Sequence, residues 1–329
     1  MMKTERTAAI SLSIISSLFF ALTFMLNRFM ALSGGSWVWS SSLRYFFMVP
    51  FLLVLVAGRK KLRPLLAVMR QAPGKWLLWS TVAFGLFYAP LTFAAAYGPS
   101  WLVAGTWQVT IICGMLVAPL LEPKPIRSGQ RFISPKALLF SLVILAGVAL
   151  LQAGQAGRLT FFEMLSGTLP VLVGALAYPL GNRMMMKVAG GQLDAFQRTL
   201  GMTLASLPFW LLVAAGGLAA GLTPSAGQAQ QSLLVALASG VIATSLFFRA
   251  TDLARHDQQL LASVEATQSG EVLFALLGEM LLLGAPLPGP ISLLGMALVI
   301  AGMVLHSLLG QKQAAAPPAS MAEKDRVAC

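Results

Sequence analysis

Charge is scarce in this 329-residue chain. Only 10% of its residues are Asp, Glu, Lys or Arg, where a soluble domain averages about 25%. With 57% of residues apolar, an ordinary water-facing surface cannot be assembled, which excludes a freely soluble globular protein. Cysteine is nearly absent. Cys113 lies inside an apolar run and Cys329 at the end, so neither a disulfide framework nor a thiolate metal site is available. The only histidines are His256 and His306, and there is neither a His-Glu-x-x-His pair nor a glycine-rich lysine loop. No catalytic residue, metal or cofactor is therefore expected, and an enzyme is the weaker reading. Acidic residues are also few, 11 against 23 Lys and Arg, a formal charge of +12. The basic residues sit in short connections between apolar runs and not along one face, so no nucleic-acid partner is expected.

What the chain has is apolar length. A helix rising about 1.5 Å per residue needs roughly 20 residues to cross about 30 Å of hydrocarbon. Runs of that order occupy residues 8–31, 36–57, 76–97, 100–121, 137–154, 164–184, 197–220, 231–252, 259–283 and 290–309. They are continuous, without the alternation of a β-barrel, so the expected fold class is all-α integral membrane with ten transmembrane helices. The first run follows Lys3 and Arg6 like a signal peptide, but it is long and has no small-residue cleavage site before Asn27. We read it as a retained span.

Basic residues test this count, because cytoplasmic connections are enriched in Lys and Arg. Lys3 and Arg6 precede the first span, a cluster from Arg59 to Lys75 follows the second, and Lys124, Arg127, Arg131 and Lys136 follow the fourth. Arg183, Lys187 and Arg198 mark the sixth connection, Arg249 and Arg255 the eighth, and Lys312, Lys324 and Arg326 the tail. The alternate connections contribute only Arg158. Ten spans with both termini cytoplasmic fit, in a membrane expected to be the bacterial cytoplasmic membrane. The Ala-Pro run and mixed charges of residues 311–329 read as a disordered cytoplasmic tail.

Shifting the chain by about 155 residues lays Asn27-Arg28-Phe29-Met30 on Asn182-Arg183-Met184-Met185. The same shift lays Gly85 on Gly240, Phe93 on Phe248 and Ala146-Gly147 on Ala301-Gly302. With small local offsets Arg44 meets Arg198 and Glu122 meets Glu279. Residues 1–154 and 155–310 then form two repeats of five spans, and an odd count turns the second repeat upside down. Inverted repeats supply two states of similar energy, each open to one side, which points to alternating access.

Arg44 early in a second span, Phe93-Ala94-Ala95-Ala96-Tyr97 closing a third and Glu122 ending a fourth resemble the ten-helix EamA-like members of the drug/metabolite transporter superfamily. So do the glycine-punctuated fifth span at 145–150, Gly278-Glu279, and the run 294–302. The stretch from Val264 to Phe274 is similar to a branch of multidrug-resistance efflux transporters. The resemblance covers roughly residues 8–309 and implies export of drugs or metabolites. One place departs from it: the superfamily's fourth span often carries a proline two turns before its terminal glutamate, where this chain has Gly114 and Glu271.

A charge within hydrocarbon costs several kcal/mol and usually faces a cavity or a partner, so each such residue is a candidate. Glu271 lies deepest among the carboxylates, with Glu265 and Gln268 at preceding three-residue steps on one broad polar face. A carboxyl there can exchange a proton for a cationic substrate, or stay neutral within a structural hydrogen bond or beside an arginine. Gln108 holds the place of Glu265 in the first repeat. Arg44, deepest of the basic residues, can attract an anion, pair with a glutamate or snorkel. Arg28, Arg183, Arg198 and Arg249 lie near span ends, where interfacial anchoring suffices, and His306 reads as incidental. Trp107, with Tyr88, Tyr178 and Phe24, either lines an aromatic cavity or packs. Glu271, Glu265, Gln268, Gln108, Arg44 and Trp107 are the expected substrate or proton site. The expected partners are a small-molecule substrate and membrane lipid, with a transmembrane proton gradient as the candidate energy source. A membrane-embedded enzyme and a non-transporting scaffold or receptor are the competing classes.

Overall fold

Once in hydrocarbon, a backbone must satisfy its own N–H and C=O groups, and a continuous apolar run does so as a helix. The computed structural model describes residues 3–121, 135–254, 260, 263–264 and 266–314. Among them no strand forms beyond one isolated bridge between Ala156 and Leu159. The helices are α1 (Lys3–Leu32), α2 (Trp37–Gly58), α3 (Leu62–Gln71), α4 (Pro73–Ser80), α5 (Leu86–Ala94), α6 (Ser100–Trp107) and α7 (Val109–Leu121). They continue as α8 (Pro135–Ala153), α9 (Phe161–Ala189), α10 (Ala195–Ala219), α11 (Ala226–Val235), α12 (Thr244–Ala254), α13 (Gly270–Leu283) and α14 (Pro290–Ala314).

Eight stretches are long and apolar enough to cross a membrane, and they match the first eight expected runs, with α4 and α5, α6 and α7, and α11 and α12 each contributing to one stretch. The ninth and tenth runs appear as α13 and as a shorter apolar helix, Pro290–His306 within α14. Helix α14 extends to Ala314, past the expected start of the tail, and residues 315–329 lie outside the described residues. Large apolar side chains such as Val54, Leu212 and Leu281 face outward, the reverse of a water-soluble surface and the arrangement that lipid requires.

Helix ends follow local chemistry. Thr160 and Asp194 start α9 and α10 as capping boxes with Glu163 and Gln197, while Gly190 and Gly284 end α9 and α13 at positive φ. Two π-helical turns, Thr81–Gly85 after α4 and Ala236–Ala243 after α11, interrupt their spans. Their starts are separated by the displacement that relates the two sequence copies. At each, a glycine admits a side chain from a neighbouring helix. A Cβ on Gly85 would sit 2.9 Å from the Phe209 ring of α10, and one on Gly240 would sit 2.8 Å from the Met48 sulfur of α2.

The packing is reciprocal. Helix α1 lies against the second π turn, α12 and α13, whereas α9 lies against the first π turn, α5, α6 and α7. Helices α2 and α10 pair, as do α8 and α14. The last pair meets backbone to backbone. A Cβ on Gly147 would fall 2.7 Å from the Gly295 carbonyl oxygen, and one on Gly295 would fall 2.7 Å from that of Gly147. Gly217 of α10 seats Val38 of α2, whereas Gly221, just past the end of α10, lies at φ +75° with nothing within 4 Å of where a Cβ would fall.

Candidate functional site

The reciprocal packing leaves a cavity of about 840 Å³ in the bundle. Its wall draws residues from α1, α2 and both π turns, and from α5, α6, α7, α9, α10, α12, α13 and α14. Arg44, Trp107, Gln108, Gln268 and Glu271 all line it. Glu265, the sixth expected site residue, lies outside the described residues, as does the repeat partner Glu122.

Two helix irregularities aim the polar groups. Between α6 and α7 the chain breaks at Gln108, whose N–H donates to the Gly105 carbonyl three residues back. Ahead of α13, residues Thr267–Ser269 form a 3₁₀ turn. Three residues per turn eclipse positions i and i+3, which brings Gln268 and Glu271 to one side. Glu271 occupies the first turn of α13, directly after this 3₁₀ turn. Its carboxyl is buried and lies within hydrogen-bonding reach of the Gln108 side chain. Gln268 donates from Nε2 to Ser13 Oγ at 3.1 Å, tying this turn to α1.

Arg44 stands at the wall with little hydrogen bonding. It is buried at 8% exposure, its Cζ sits 4.0 Å from the Tyr88 ring centroid, and its Nε and Nη1 have no hydrogen-bond partner. Tyr88, itself behind the wall, is positioned by Asn27, whose Nδ2 donates to the phenol oxygen at 3.0 Å. Phe24, Trp107 and Tyr178 do line the cavity. Trp107 and Tyr178 form an aromatic group with Phe87, with centroid separations of 4.9 to 5.6 Å. Tyr178 lies within electrostatic reach of Glu271, Arg198 and Arg44.

Sequence reasoning missed three wall residues. Arg183, Arg198 and His306 read as anchoring or incidental groups near span ends, yet all three line the cavity. The repeat held a signal, since Arg198 meets Arg44 in the second copy. Arg28, expected near a span end, donates from Nη1 to the carbonyls of Ala95 and Ala96 at 3.1 and 2.9 Å, closing α5. Glu279, eight residues beyond Glu271, is absent from the wall. Its Oε2 accepts from both the N–H and the hydroxyl of Ser100 at 2.6 Å, capping α6 from another helix. Among the described residues no group of three His, Cys, Asp or Glu gathers to hold a metal.

Comparison with known proteins gives one family. Residues 7–312 match the family model EmrE, described as "Putative multidrug resistance efflux transporter". YjlA of Bacillus subtilis (strain 168) is 55% identical over 308 residues, covering 92% of this chain and 95% of the relative. A 42.1 kDa protein of Shouchella clausii, encoded in the intracellular alkaline protease 3′ region, is 45% identical over 266 residues, covering 80% of this chain and 70% of the relative. A crystal structure matches with a TM-score of 0.58 at 15% identity, covering 92% of this chain and 98% of that one, a likeness of fold alone.

Proposed function

The chain belongs to this EmrE family of membrane efflux transporters, and on that premise we propose that it is a secondary-active exporter of small, partly apolar drugs or metabolites. It works by alternating access, coupled to protons through Glu271. The observation that carries this reading is the cavity of about 840 Å³ inside the bundle, with the buried Glu271 carboxyl in its wall. Ten spans in two inverted repeats, 1–154 and 155–310, supply the two states. The corresponding π turns and the reciprocal packing of α1 and α9 support that arrangement, because rocking one repeat on the other would turn the cavity from one side to the other. Both termini lie in the cytoplasm of a bacterial cell, and the membrane gradient takes the place of a cofactor.

Glu271 suits proton coupling for a physical reason. A carboxyl can hold or release a proton, and the Gln108 amide can serve either form, donating to a carboxylate or accepting from an acid. Each pH unit across the membrane supplies about 1.4 kcal/mol per proton, enough for about a tenfold solute gradient. The test is transport of a panel of small apolar solutes into sealed vesicles of defined pH gradient. Wild type should accumulate solute in proportion to the gradient. Glu271→Gln should equilibrate solute without accumulating it, and gradient-driven accumulation surviving in that variant would reject the proton carrier.

A further inference from the structure

The charge carried by the cargo is written in the cavity wall, provided the transporter reading holds. Among the described residues three guanidiniums, Arg44, Arg183 and Arg198, face the cavity against one carboxyl, Glu271. A cation entering there meets more repulsion than attraction. Arg44 sharpens the point. Guanidinium stays charged under biological conditions, so burial cannot be relieved by loss of a proton. The face of Tyr88 holds one side of it, but a ring offers no acceptor to its N–H groups. Nε and Nη1 are buried without a hydrogen-bond partner on a residue that lines the cavity. A buried donor in that state is costly, and a turn of the side chain that brought the guanidinium onto a bound oxyanion would relieve it.

We propose that Arg44 anchors an anionic group of the transported solute, a carboxylate or similar oxyanion, and that the Phe87, Trp107 and Tyr178 rings seat its apolar body. The cargo is then an anion or zwitterion with a flat apolar part, a different class from the cationic solutes that a lone membrane carboxylate would select. Planar guanidinium and planar carboxylate match as a two-pronged pair, which lysine cannot reproduce.

Three probes share one ring and differ only in the charge of their short arm: indole-3-acetate, indole-3-acetamide and tryptamine. Isothermal titration of the purified full chain in lipid nanodiscs should rank the acetate about tenfold tighter than the amide, with tryptamine weakest. Arg44→Gln should remove the acetate preference while leaving the amide nearly unchanged, and Arg44→Lys should restore only part of it. The wild-type ranking needs no variant, so it decides even where Arg44→Gln does not fold. Tryptamine binding as tightly as the acetate, no binding of any probe, or an unaltered acetate-to-amide ratio in folded Arg44→Gln would overturn the anchor. Vesicle transport separates this inference from the exporter reading. Gradient-driven movement of tryptamine but not the acetate keeps the exporter and overturns the anchor, whereas acetate preference in a protein indifferent to the gradient keeps the anchor and removes proton coupling.

Discussion

Glu271 and Glu279 lie two turns apart on α13, both buried, yet their surroundings differ in kind. Glu279 is committed, with two short bonds from Ser100 fixing the start of α6. Arg28, within electrostatic reach of Glu279, is likewise committed to the carbonyls that close α5. In the cavity, Glu271 has one adaptable amide beside it and Arg44 has an aromatic face without an acceptor. The lesson is that depth in the membrane does not separate a carboxyl bonded into a helix start from one that faces the cavity.

If the committed region is structural, breaking it should cost stability without changing selectivity. The largest effect is expected from Glu279→Ala, which orphans the Ser100 N–H and removes a buried acceptor of two short bonds, at a cost of about 3 kcal/mol. Thermal unfolding in detergent should show the loss, while solute preference per folded molecule stays at the wild-type value. Gly147→Val should come next at about 2 kcal/mol, because the added atoms meet the Gly295 carbonyl and the Val299 backbone N, neither of which can rotate away.

Asp194→Ala should be smallest, about 1 kcal/mol near neutral pH, from the loss of the α10 cap and a partly exposed bond to Lys61. Partial burial pushes the Asp194 carboxyl upward. Hydrogen bonds from Lys61 and the Gln197 N–H, with the charges of Lys61 and Arg59, outweigh it and hold the group below its usual range. A lowered folded value means stability that is present above the ordinary aspartate range and lost as pH falls through the lowered one. The gap between variant and wild type should therefore close in acid, which unfolding midpoints at stepped pH would show.

Much of this organisation is legible in the chain. Apolar runs located the membrane helices; the depth of Arg44 and Glu271, the helical step to Gln268, the repeat match of Gln108 and the aromatic Trp107 singled out residues that share one wall. The remainder depends on rotation about each helix axis, which position along a span does not encode. Arg183 and Arg198 sit near span ends, where anchoring explains any arginine, and only tertiary packing turns them inward. The π turns shift helical register without any breaker residue to announce them, and Gly85 and Gly240 showed only as positions that the repeat aligns. Glu279 showed only as the repeat partner of Glu122, because a cap supplied to another helix leaves no local motif.

The difference between the two carboxyls can be read chemically in one experiment. A hydrophobic carbodiimide partitions into the membrane and modifies accessible protonated carboxyl groups, and mass spectrometry locates the adduct. The account requires adduct at Glu271, slowed by a transported solute, with Glu279 unmodified in folded protein. Modification of Glu279 at a comparable rate, or none at Glu271, would contradict it.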